Sequence, residues 1–519
     1  MQAAQAVTAR EDPRARWICA GFALVQLLVH FAVNASGGYG YFRDEFYYLA
    51  CSRHLAAGYV DLPPLSAFLL AIQTELFGDS VFALRLFPAL AGAAVVWMCG
   101  ALALRLGAGR AGAALACLGC LCSPVILSFT GFYSMNAFDL LFWTIAAHLF
   151  VSVLEDPRPR IWSALGAVCG LGMLNKIDAG WLIGGIFVGL LATPRRSLLK
   201  APWPWIAAVL AALIFAPFVV WNAQHDWAHL EFIRNASSEK YAGLSALSFL
   251  KGQIPAQHPL NLPLWIAGLC YLLFSRKAEP YRALAWIWLT SATVLVLHGH
   301  SKAEYLTAAY PVLFAAGGAA SDMAAARWFS RGVKPVFAAL LLVTTILILP
   351  FALPVLPVER YIAYAERFGL QPESAEGKQL SKLPQFYADM FGWQEKVETV
   401  ARAFAQLTPK ERADCAIFAS NYGRCGAIDL LGKVYGLPDS IGSHNNDWIW
   451  GPRECTGRLI LVLADDLGGR EALFESTEVV GQVPHSEYCM PYENDLKVFL
   501  CRGLKQPLAQ LWPQLRHYD

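Results

Sequence analysis

Residues 14–48 read RARWICAGFALVQLLVHFAVNASGGYGYFRDEFYY, an arginine pair followed by an apolar run and then an acidic pair. The apolar run, from about Trp17 to Val33, approaches the ~20 residues that a membrane-spanning helix requires. Lysine and arginine concentrate in cytoplasmic loops, so the arginine end is predicted to lie inside and the acidic pair, Asp44 and Glu45, outside. The run lacks a clear small-x-small cleavage site, which favours a retained helix over a removed signal peptide.

The breaks between later apolar segments alternate in the same way. Arginine-rich breaks are predicted to be cytoplasmic, and they occur near residues 105–110, 158–160, 195–200, 276–282 and 327–334. Breaks with acidic, histidine or single lysine residues are predicted to lie outside, at residues 43–45, 134–136, 175–178 and 298–302. Because the basic residues are spread over many inside breaks and the net charge is only +2, no nucleic-acid partner is predicted. The candidate chemistry is therefore on the outer side.

The composition, with 56% hydrophobic and 15% charged residues, is typical of a polytopic α-helical membrane protein. The apolar segments predict about eleven spans, near residues 16–34, 81–105, 111–129, 137–154, 161–175, 178–193, 203–221, 261–275, 282–298, 303–324 and 333–353. Segments 46–56 and 65–77 have amphipathic spacing and are predicted to be interfacial helices. With an odd number of spans and a cytoplasmic start, everything after residue 357 lies outside.

The chain changes character after its last predicted span. Residues 358–519 mix charged, polar and apolar positions, so a transmembrane domain over residues 1–357 is predicted to precede a soluble α/β domain. Short apolar runs at residues 416–419 and 459–463 predict buried strands. Helical patterns occur near residues 386–406 and 425–435. Because this domain is predicted to lie in an oxidising compartment, at least one disulfide is expected among Cys415, Cys425, Cys455, Cys489 and Cys501.

The first outer loop contains the strongest candidate for chemistry. Asp44 and Glu45 directly follow the first span, and an Asp-x-Pro-Pro-Leu sequence begins at Asp61. Considered alone, the acidic pair is more typical of the first turn of an interfacial helix, where carboxylates cap the backbone N–H groups. The alternative is a general base at the membrane surface.

Four motifs in order resemble one family. They are the first outer loop with its acidic pair, Ser134–Trp143, Gly172–Lys176, and Lys302–Tyr305 followed by Tyr310-Pro311. Together they resemble the GT-C glycosyltransferases that use polyprenyl-phosphate sugars, and more closely the protein O-mannosyltransferase-like (family 39) branch, which includes lipid A aminoarabinose transferase. The resemblance covers roughly residues 15–325. It implies a multi-pass protein of the bacterial inner membrane, with its active site and C-terminal domain in the periplasm.

The resemblance also implies roles for individual residues. Asp44 matches the family's general base, which takes the proton of an acceptor hydroxyl, and Glu45 is expected to orient Asp44 or the acceptor. A single displacement would invert the configuration of the sugar. Lys176 and Lys302 are expected to hold the lipid phosphate, as isolated cations at the ends of spans. The expected substrate-binding residues are Asp61, Asn136, Asp139, Lys176, His300, Lys302 and Tyr305.

The sequence departs from the family pattern at two positions. Related sequences often carry an acid where Asn136 stands, and Asp139, three residues later on the same helix face, could substitute. The aminoarabinose branch has a basic residue before Pro-Pro, where this chain has Leu62. The resemblance therefore implies a polyprenyl-phosphate-linked donor and an envelope lipid, glycan or protein acceptor, but no particular sugar.

Other interpretations are possible for the same features. His225 and His229 have the spacing of metal ligands, but an amphipathic interfacial helix explains them more simply, and no metal or organic cofactor is expected for transfer. A secondary transporter would also have many spans, although internal repeats and broken mid-membrane helices are not evident. A scaffold that binds a lipid-linked sugar without transferring it is the third possibility.

Overall fold

The computed structural model describes residues 12–238, 241, 243–323, 332–372 and 378–519, and most of the part before residue 357 is helical. Its helices are α1 Pro13–Ala35, α2 Arg43–Arg53, α3 Leu65–Phe77, α4 Val81–Leu84, α5 Leu86–Arg105, α6 Arg110–Leu121, α7 Pro124–Phe129, α8 Met135–Glu155, α9 Pro159–Asn175, α10 Ala179–Leu191, α11 Trp203–Gln224, α12 Ala228–Ser238, α13 Ala246–Ala256, α14 Leu262–Phe274, α15 Ala285–His298, α16 Tyr310–Met323 and α17 Lys334–Ala352. Short 3₁₀ segments precede α15 and α16. A helix therefore lies in each predicted span, and α2 and α3 occupy the predicted interfacial segments.

Six of the described helices are long and apolar enough to cross a membrane, and a seventh span results if a bent pair counts as one. The six are Pro13–Ala35, Val81–Arg105, Met135–Glu155, Trp203–Gln224, Glu279–His298 and Lys334–Ala352. The bent pair turns by 109° between α10 and the 3₁₀ segment Pro194–Lys200. The predicted span at 111–129 is divided between α6 and α7. The protein is thus a polytopic helical membrane protein, and the number of eleven spans stays a prediction.

Small residues let the helices of the bundle approach closely. On α9, a Cβ atom at Gly170 would lie 2.8 Å from Cβ of Ile214 and 2.9 Å from the carbonyl oxygen of Ala211, both on α11. Gly166, one turn earlier, faces Ala207 in the same way. Association of helices in a membrane depends on van der Waals packing, which such close approach maximises.

Residues in or next to several arginine-rich breaks form ion pairs and hydrogen bonds with one another at one end of the bundle. Arg105 forms an ion pair of 3.0 Å with Glu155, whose carboxylate also accepts a hydrogen bond of 2.7 Å from Tyr281. Arg110 forms an ion pair of 2.5 Å with Asp12, at the start of α1. These contacts place breaks that are far apart in sequence at the same end, as the charge alternation predicted.

The C-terminal region contains a mixed five-stranded sheet flanked by helices. Its strands are β1 Cys415–Ala419, β2 Ile441–Gly442, β3 Leu459–Ala464, β4 Phe474–Gln482 and β5 Lys497–Leu504, in the order β2-β1-β3-β5-β4. β1 is parallel to β2 and β3, whereas β5 is antiparallel to β3 and β4. The remaining helices are α18 Val358–Arg367, α19 Gln385–Ala388, α20 Trp393–Ala405, α21 Pro409–Asp414, α22 Tyr422–Leu431, α23 Asn446–Trp450 and α24 Leu508–Leu511. Both predicted strands are present. The two predicted helices are also present, as α20 and α22, but they begin and end at other residues than predicted.

Helix α2 of the first outer loop packs into the core of this C-terminal region. Phe46 is fully buried there, with its ring 5.4 Å from the ring of Trp393. A Cβ atom at Gly426 would lie 2.7 Å from Cβ of Phe46, so only glycine lets α22 approach α2 this closely. The acidic pair is therefore held between the membrane bundle and the sheet.

The expected disulfide is wrong, because all thirteen cysteines, each within the described residues, are free thiols. Cys415 and Cys501 lie in cores on opposite faces of the sheet. Cys425 packs beneath β1, 3.5 Å from the carbonyl oxygen of Ala419, and Cys489 lies 3.2 Å from the side-chain oxygen of Asn494. Each of these four thiols is buried and behaves as a small apolar side chain.

Candidate active site

All four predicted outer breaks meet in one cavity of about 850 Å³. The breaks contribute Arg43, Asp44, Ser134, Met135, Asn136, Lys176, Ile177, Asp178, His298, His300, Ser301 and Lys302. No residue of the described arginine-rich breaks is among those that line the cavity. The cavity lies between two parts of the protein, the end of the bundle that carries the predicted outer breaks and the C-terminal region, which contributes Asp389, Tyr422, Asn445 and Asp519.

Asp44 lies in the first turn of α2 and faces this cavity, with its side chain 38% exposed. Its carboxylate accepts a hydrogen bond of 2.9 Å from the hydroxyl of Tyr422 and lies 3.5 Å from Nε of Arg43. It does not cap α2, because the backbone N–H of Phe42 donates to Glu45 instead, at 2.9 Å. The capping interpretation therefore applies to Glu45, and Asp44 is available to a substrate.

Glu45 points away from the cavity and is fully buried. Arg85 donates to both of its carboxylate oxygens, at 2.9 and 2.8 Å, and the backbone N–H of Tyr133 donates at 2.9 Å. The expectation that Glu45 orients an acceptor by contact is not supported by this geometry, because its oxygens are already used inside the protein. Glu45 is instead a positioning residue that fixes the start of α2, and with it Asp44.

Asp61 is the second carboxylate of the outer loop that lines the cavity. It accepts a hydrogen bond of 2.7 Å from the hydroxyl of Tyr47, which also lies 3.2 Å from the side-chain oxygen of Asn446. Burial, together with the charge of Asp61, raises the pKa of Tyr47 well above its ordinary value. Tyr47 therefore keeps its proton and stays a donor to Asp61.

Lys176 lies at the end of α9 and lines the cavity next to two carboxylates. Its ammonium nitrogen is 2.6 Å from Asp178 and 3.7 Å from Asp139. Burial acts to lower the pKa of Lys176, but the two carboxylates outweigh it and raise the pKa above its ordinary value. Asp139 is buried and does not line the cavity, so it supports Lys176 from behind, whereas Asn136 does line the cavity.

Two tyrosine rings connect Lys176 with Lys302. Nζ of Lys176 is 5.6 Å from the ring centre of Tyr305, and Nζ of Lys302 is 4.7 Å from that of Tyr241. The two rings meet edge to face with centres 6.3 Å apart. The ring of His300 lies beside them, 3.1 Å from the carbonyl oxygen of Leu244. Two cations and two aromatic faces thus form one wall of the cavity, a suitable surface for a phosphate with an apolar chain.

Sequence reasoning missed the contribution of the C-terminal region. Tyr422 lies 378 residues after Asp44, whose carboxylate its hydroxyl contacts, and its ring is 5.4 Å from the guanidinium of Arg43. Arg43 also donates 2.6 Å to the hydroxyl of Tyr492 and lies 3.9 Å from Asp389. These partners follow no recognisable motif, so no local signal in the sequence pointed to them.

A buried cluster of charged side chains contacts the segment that carries Tyr492. Glu493 lies 3.0 Å from Arg424 and 3.5 Å from Lys396, and it accepts a hydrogen bond of 2.9 Å from Asn421. Arg424 donates in turn to the backbone oxygen of Tyr492, at 3.0 Å. The cluster thereby holds the segment that carries the partner of Arg43.

The stability of the C-terminal region is expected to fall in acid because of this cluster. Burial acts to raise the pKa of Glu493, but Arg424 and Lys396 outweigh it and lower the pKa below the ordinary 4.5. A carboxyl with a lowered pKa stabilises the fold fully above its unfolded pKa and loses that contribution as the pH falls through its folded pKa. Thermal unfolding measured from pH 7 down to pH 3 should therefore show a falling midpoint below about pH 4.5. The Glu493→Gln variant should be less stable at pH 7 and lose less on acidification; equal losses would contradict the assignment.

The two histidines with the spacing of metal ligands lie on either side of a break, His225 after α11 and His229 in α12. The ring of His225 lies 2.8 Å from the carbonyl oxygen of Trp221. The ring of His229 lies 2.9 Å from the carbonyl oxygen of Val60. Each ring thus uses one nitrogen, Nδ1, for a contact with a backbone oxygen.

Comparison with known proteins identifies relatives of this arrangement. The family described as dolichyl-phosphate-mannose-protein mannosyltransferase matches residues 61–221. Lipid A galacturonosyltransferase RgtD of Rhizobium johnstonii is 22% identical over 283 residues, which are 51% of this chain and 56% of that protein. Undecaprenyl phosphate-alpha-4-amino-4-deoxy-L-arabinose arabinosyl transferase 1 of Pseudomonas fluorescens is 28% identical over 172 residues, which are 31% of this chain and 29% of that protein. The chain thus spans about half, or less, of the length of these relatives.

Solved structures extend the likeness to most of the chain. ArnT from Cupriavidus metallidurans bound to undecaprenyl phosphate superimposes with a TM-score of 0.61 and 15% identity, over 92% of this chain and 97% of that one. The apo state of the same protein gives a TM-score of 0.55 at 16% identity, with the same coverage. At this identity the likeness concerns the fold. The chain is therefore a polytopic helical membrane protein with this fold, and its residues 61–221 match the family of dolichyl-phosphate-mannose-protein mannosyltransferases.

Proposed function

We propose that this protein is an inverting membrane glycosyltransferase, which moves a sugar from a polyprenyl-phosphate donor to a hydroxyl of an envelope acceptor. The observation that carries the proposal is a single cavity that presents an accessible carboxylate, Asp44, together with the two lysines Lys176 and Lys302. The cavity lies on the side away from the arginine-rich breaks, so the reaction belongs to the periplasmic face of the bacterial inner membrane. Because RgtD is named for lipid A, that lipid is the first acceptor to test.

In the proposed reaction, Asp44 acts as the general base. The acceptor oxygen forms a bond to the anomeric carbon while the bond from that carbon to the phosphate oxygen breaks, and the hydroxyl proton passes to Asp44. The polyprenyl phosphate leaves with an additional negative charge. The fixed cations of Lys176 and Lys302 stabilise that charge, which is the largest contribution that a prearranged site of this kind supplies. Tyr305 and His300 lie at the same wall, where each can contact the phosphate.

We also propose that the chain divides after residue 357 into a transmembrane domain and a periplasmic domain. The two share the site, since Asp44 belongs to the first and Tyr422 to the second. An accessible carboxylate that lines the same cavity as two lysines favours transfer over a scaffold that only binds a lipid-linked sugar. A transporter needs a pathway through the bundle, whereas these charged groups gather at one end of it.

Replacing Lys302 by methionine is expected to weaken binding of undecaprenyl phosphate by roughly 10- to 100-fold, because a contact between charged groups contributes about 1.5–3 kcal/mol. Methionine keeps an apolar stem but removes the charge. Binding of radiolabelled undecaprenyl phosphate to the purified protein in detergent measures the effect. Lys251, an exposed lysine of α13 that does not line the cavity, provides the matched control Lys251→Met.

The corresponding change at Lys176 has a second consequence. Asp178 and Asp139 would lose their shared counterion, so Lys176→Met should reduce stability as well as donor binding. Lys302→Met is therefore the cleaner test. Unchanged affinity in the Lys302 variant would show that this lysine does not hold the phosphate, and equal losses in the control would show a nonspecific effect of charge.

A further inference from the structure

A second group of ligand-forming side chains lies next to the cavity, apart from the residues of the transfer reaction, and one of its members, Asp519, lines the cavity. The segment 516–519 runs beside the segment 443–446, and the backbone N–H of His517 donates 3.1 Å to the carbonyl oxygen of Ser443. The N–H of Asn445 donates 2.9 Å to the carbonyl oxygen of His517. These bonds form a parallel bridge between His444 and His517 and place both imidazoles on the same side.

The side chains of His444, His517 and Asp519 converge at this bridge. One ring nitrogen from each histidine and a carboxylate oxygen of Asp519 all lie within 4.8 Å of one another. Nε2 of His517 is 3.2 Å from Oδ1 of Asp519, and Nε2 of His444 contacts the same oxygen. Bonds from zinc to nitrogen or oxygen are about 2.0–2.2 Å, so neighbouring ligands of a tetrahedral ion lie a little over 3 Å apart. The spacing of these atoms fits that geometry after small side-chain movements.

We propose that His444, His517 and Asp519 form a binding site for a divalent transition metal of the zinc type. Two imidazoles and one carboxylate are a ligand set that zinc uses, with a fourth position left for water. His444 is nearly buried, whereas His517 is more than half exposed, so the ion can enter from the side of His517. The site binds the metal independently of any sugar donor, and the proposal does not rest on the proposed transferase activity.

The backbone at this point supports a specific role for the segment. Asn445, between His444 and Asn446, has a φ of +47° and a ψ of −123°, a conformation that a residue with a Cβ atom rarely adopts. Such strain costs about 1–3 kcal/mol and persists where the surroundings enforce it. Here it turns His444 towards the 516–519 segment and leaves the side chain of Asn446 free to contact Tyr47.

A bound ion would connect the C-terminal segment with the catalytic carboxylate. The ring of His444 lies 4.9 Å from the ring of Tyr422, whose hydroxyl donates to Asp44. Asp519 itself lines the cavity. The metal therefore fixes a wall of the cavity and the position of Tyr422, and it takes no part in the proton transfer.

The test is zinc binding to the full-length protein in detergent, measured by equilibrium dialysis and by metal content after gel filtration. We expect one zinc ion per chain in the wild type. His517→Gln removes one ligand at an exposed position and so preserves the fold, and it should weaken zinc binding at least about tenfold, since even residues behind a ligand contribute 10- to 100-fold. The matched control is His485→Gln, because His485 faces Asp495 at 3.9 Å and no third ligand joins them among the described residues. This control should bind zinc like the wild type.

A second measurement separates loss of the site from loss of the fold. Zinc should raise the unfolding midpoint of the wild type and of His485→Gln, and should leave that of His517→Gln nearly unchanged, because binding to the folded state alone stabilises it. Absence of stoichiometric zinc in the wild type would overturn the proposal and leave an ion-pair cluster only. Equal zinc binding by the wild type, His517→Gln and His444→Gln would place the metal elsewhere and also overturn it.

Discussion

Asp44→Asn is expected to lower the rate of sugar transfer by about 10²–10⁴-fold, the usual contribution of a general base, while expression and donor binding stay normal. Asparagine has the same shape and can still accept the hydrogen bond that Tyr422 donates to Asp44. The loss would therefore come from the missing proton acceptor and not from a displaced helix, since Glu45 provides the cap of α2. The measurement is single-turnover transfer from an undecaprenyl-phosphate sugar to a lipid A acceptor.

Asp61→Asn is the matched comparison for this experiment. Asp61 also lines the cavity, but its carboxylate is already bonded to Tyr47 at 2.7 Å. We expect this variant to lose less of the transfer rate than Asp44→Asn, and mainly through weaker binding of substrate. If Asp44→Asn retains near wild-type turnover while Asp61→Asn loses it, Asp61 is the base. Glu45 is no longer a candidate for that role, because it does not face the cavity.

Arg85→Met is expected to cost the largest amount of stability of any single change discussed for this protein, about 3–5 kcal/mol. The change would leave the carboxylate of Glu45, which is fully buried, without its two hydrogen bonds of 2.9 and 2.8 Å from Arg85. Burying an unpaired charge is far more costly than losing an exposed ion pair. The thermal midpoint and the yield of folded protein in detergent measure the effect.

Three further variants make this test specific: Arg53→Met, Glu45→Gln, and Glu45→Gln combined with Arg85→Met. Arg53→Met breaks the exposed pair of Arg53 and Asp79, 3.3 Å apart, and should cost about 1 kcal/mol or less. The double variant Glu45→Gln, Arg85→Met removes both charges. It should therefore lose less stability than the losses of Glu45→Gln and Arg85→Met added together. Additive losses, or a loss in Arg85→Met no larger than in Arg53→Met, would contradict the assigned role of the buried pair.

The membrane character of the chain, and the grouping of its predicted outer breaks at one end of the helical bundle, could be predicted from the sequence alone. Charged residues are costly inside a bilayer, so they interrupt the apolar segments at the membrane surfaces and mark those surfaces directly in the sequence. The four outer breaks that this pattern predicted all line the cavity, and Asp44, Asp61, Asn136, Lys176, His300, Lys302 and Tyr305 do so as individual residues. Strands 415–419 and 459–464 were also predictable, because buried strands are short continuous apolar runs.

The different roles of Asp44 and Glu45 were decided only by the tertiary structure. Neighbouring residues of a helix point roughly 100° apart, so one of the pair had to face the core, but which one depends on where Arg85 lies. The partner of Asp44 could not be predicted either, since Tyr422 approaches it only through the packing of α22 on α2. The packing of distant elements also decides that the cysteines are free thiols and that His444 lies with His517 and Asp519. Local patterns in a sequence reflect whether each segment is surrounded by water, by lipid or by the protein core. Contacts between distant residues depend instead on how the helices and strands pack.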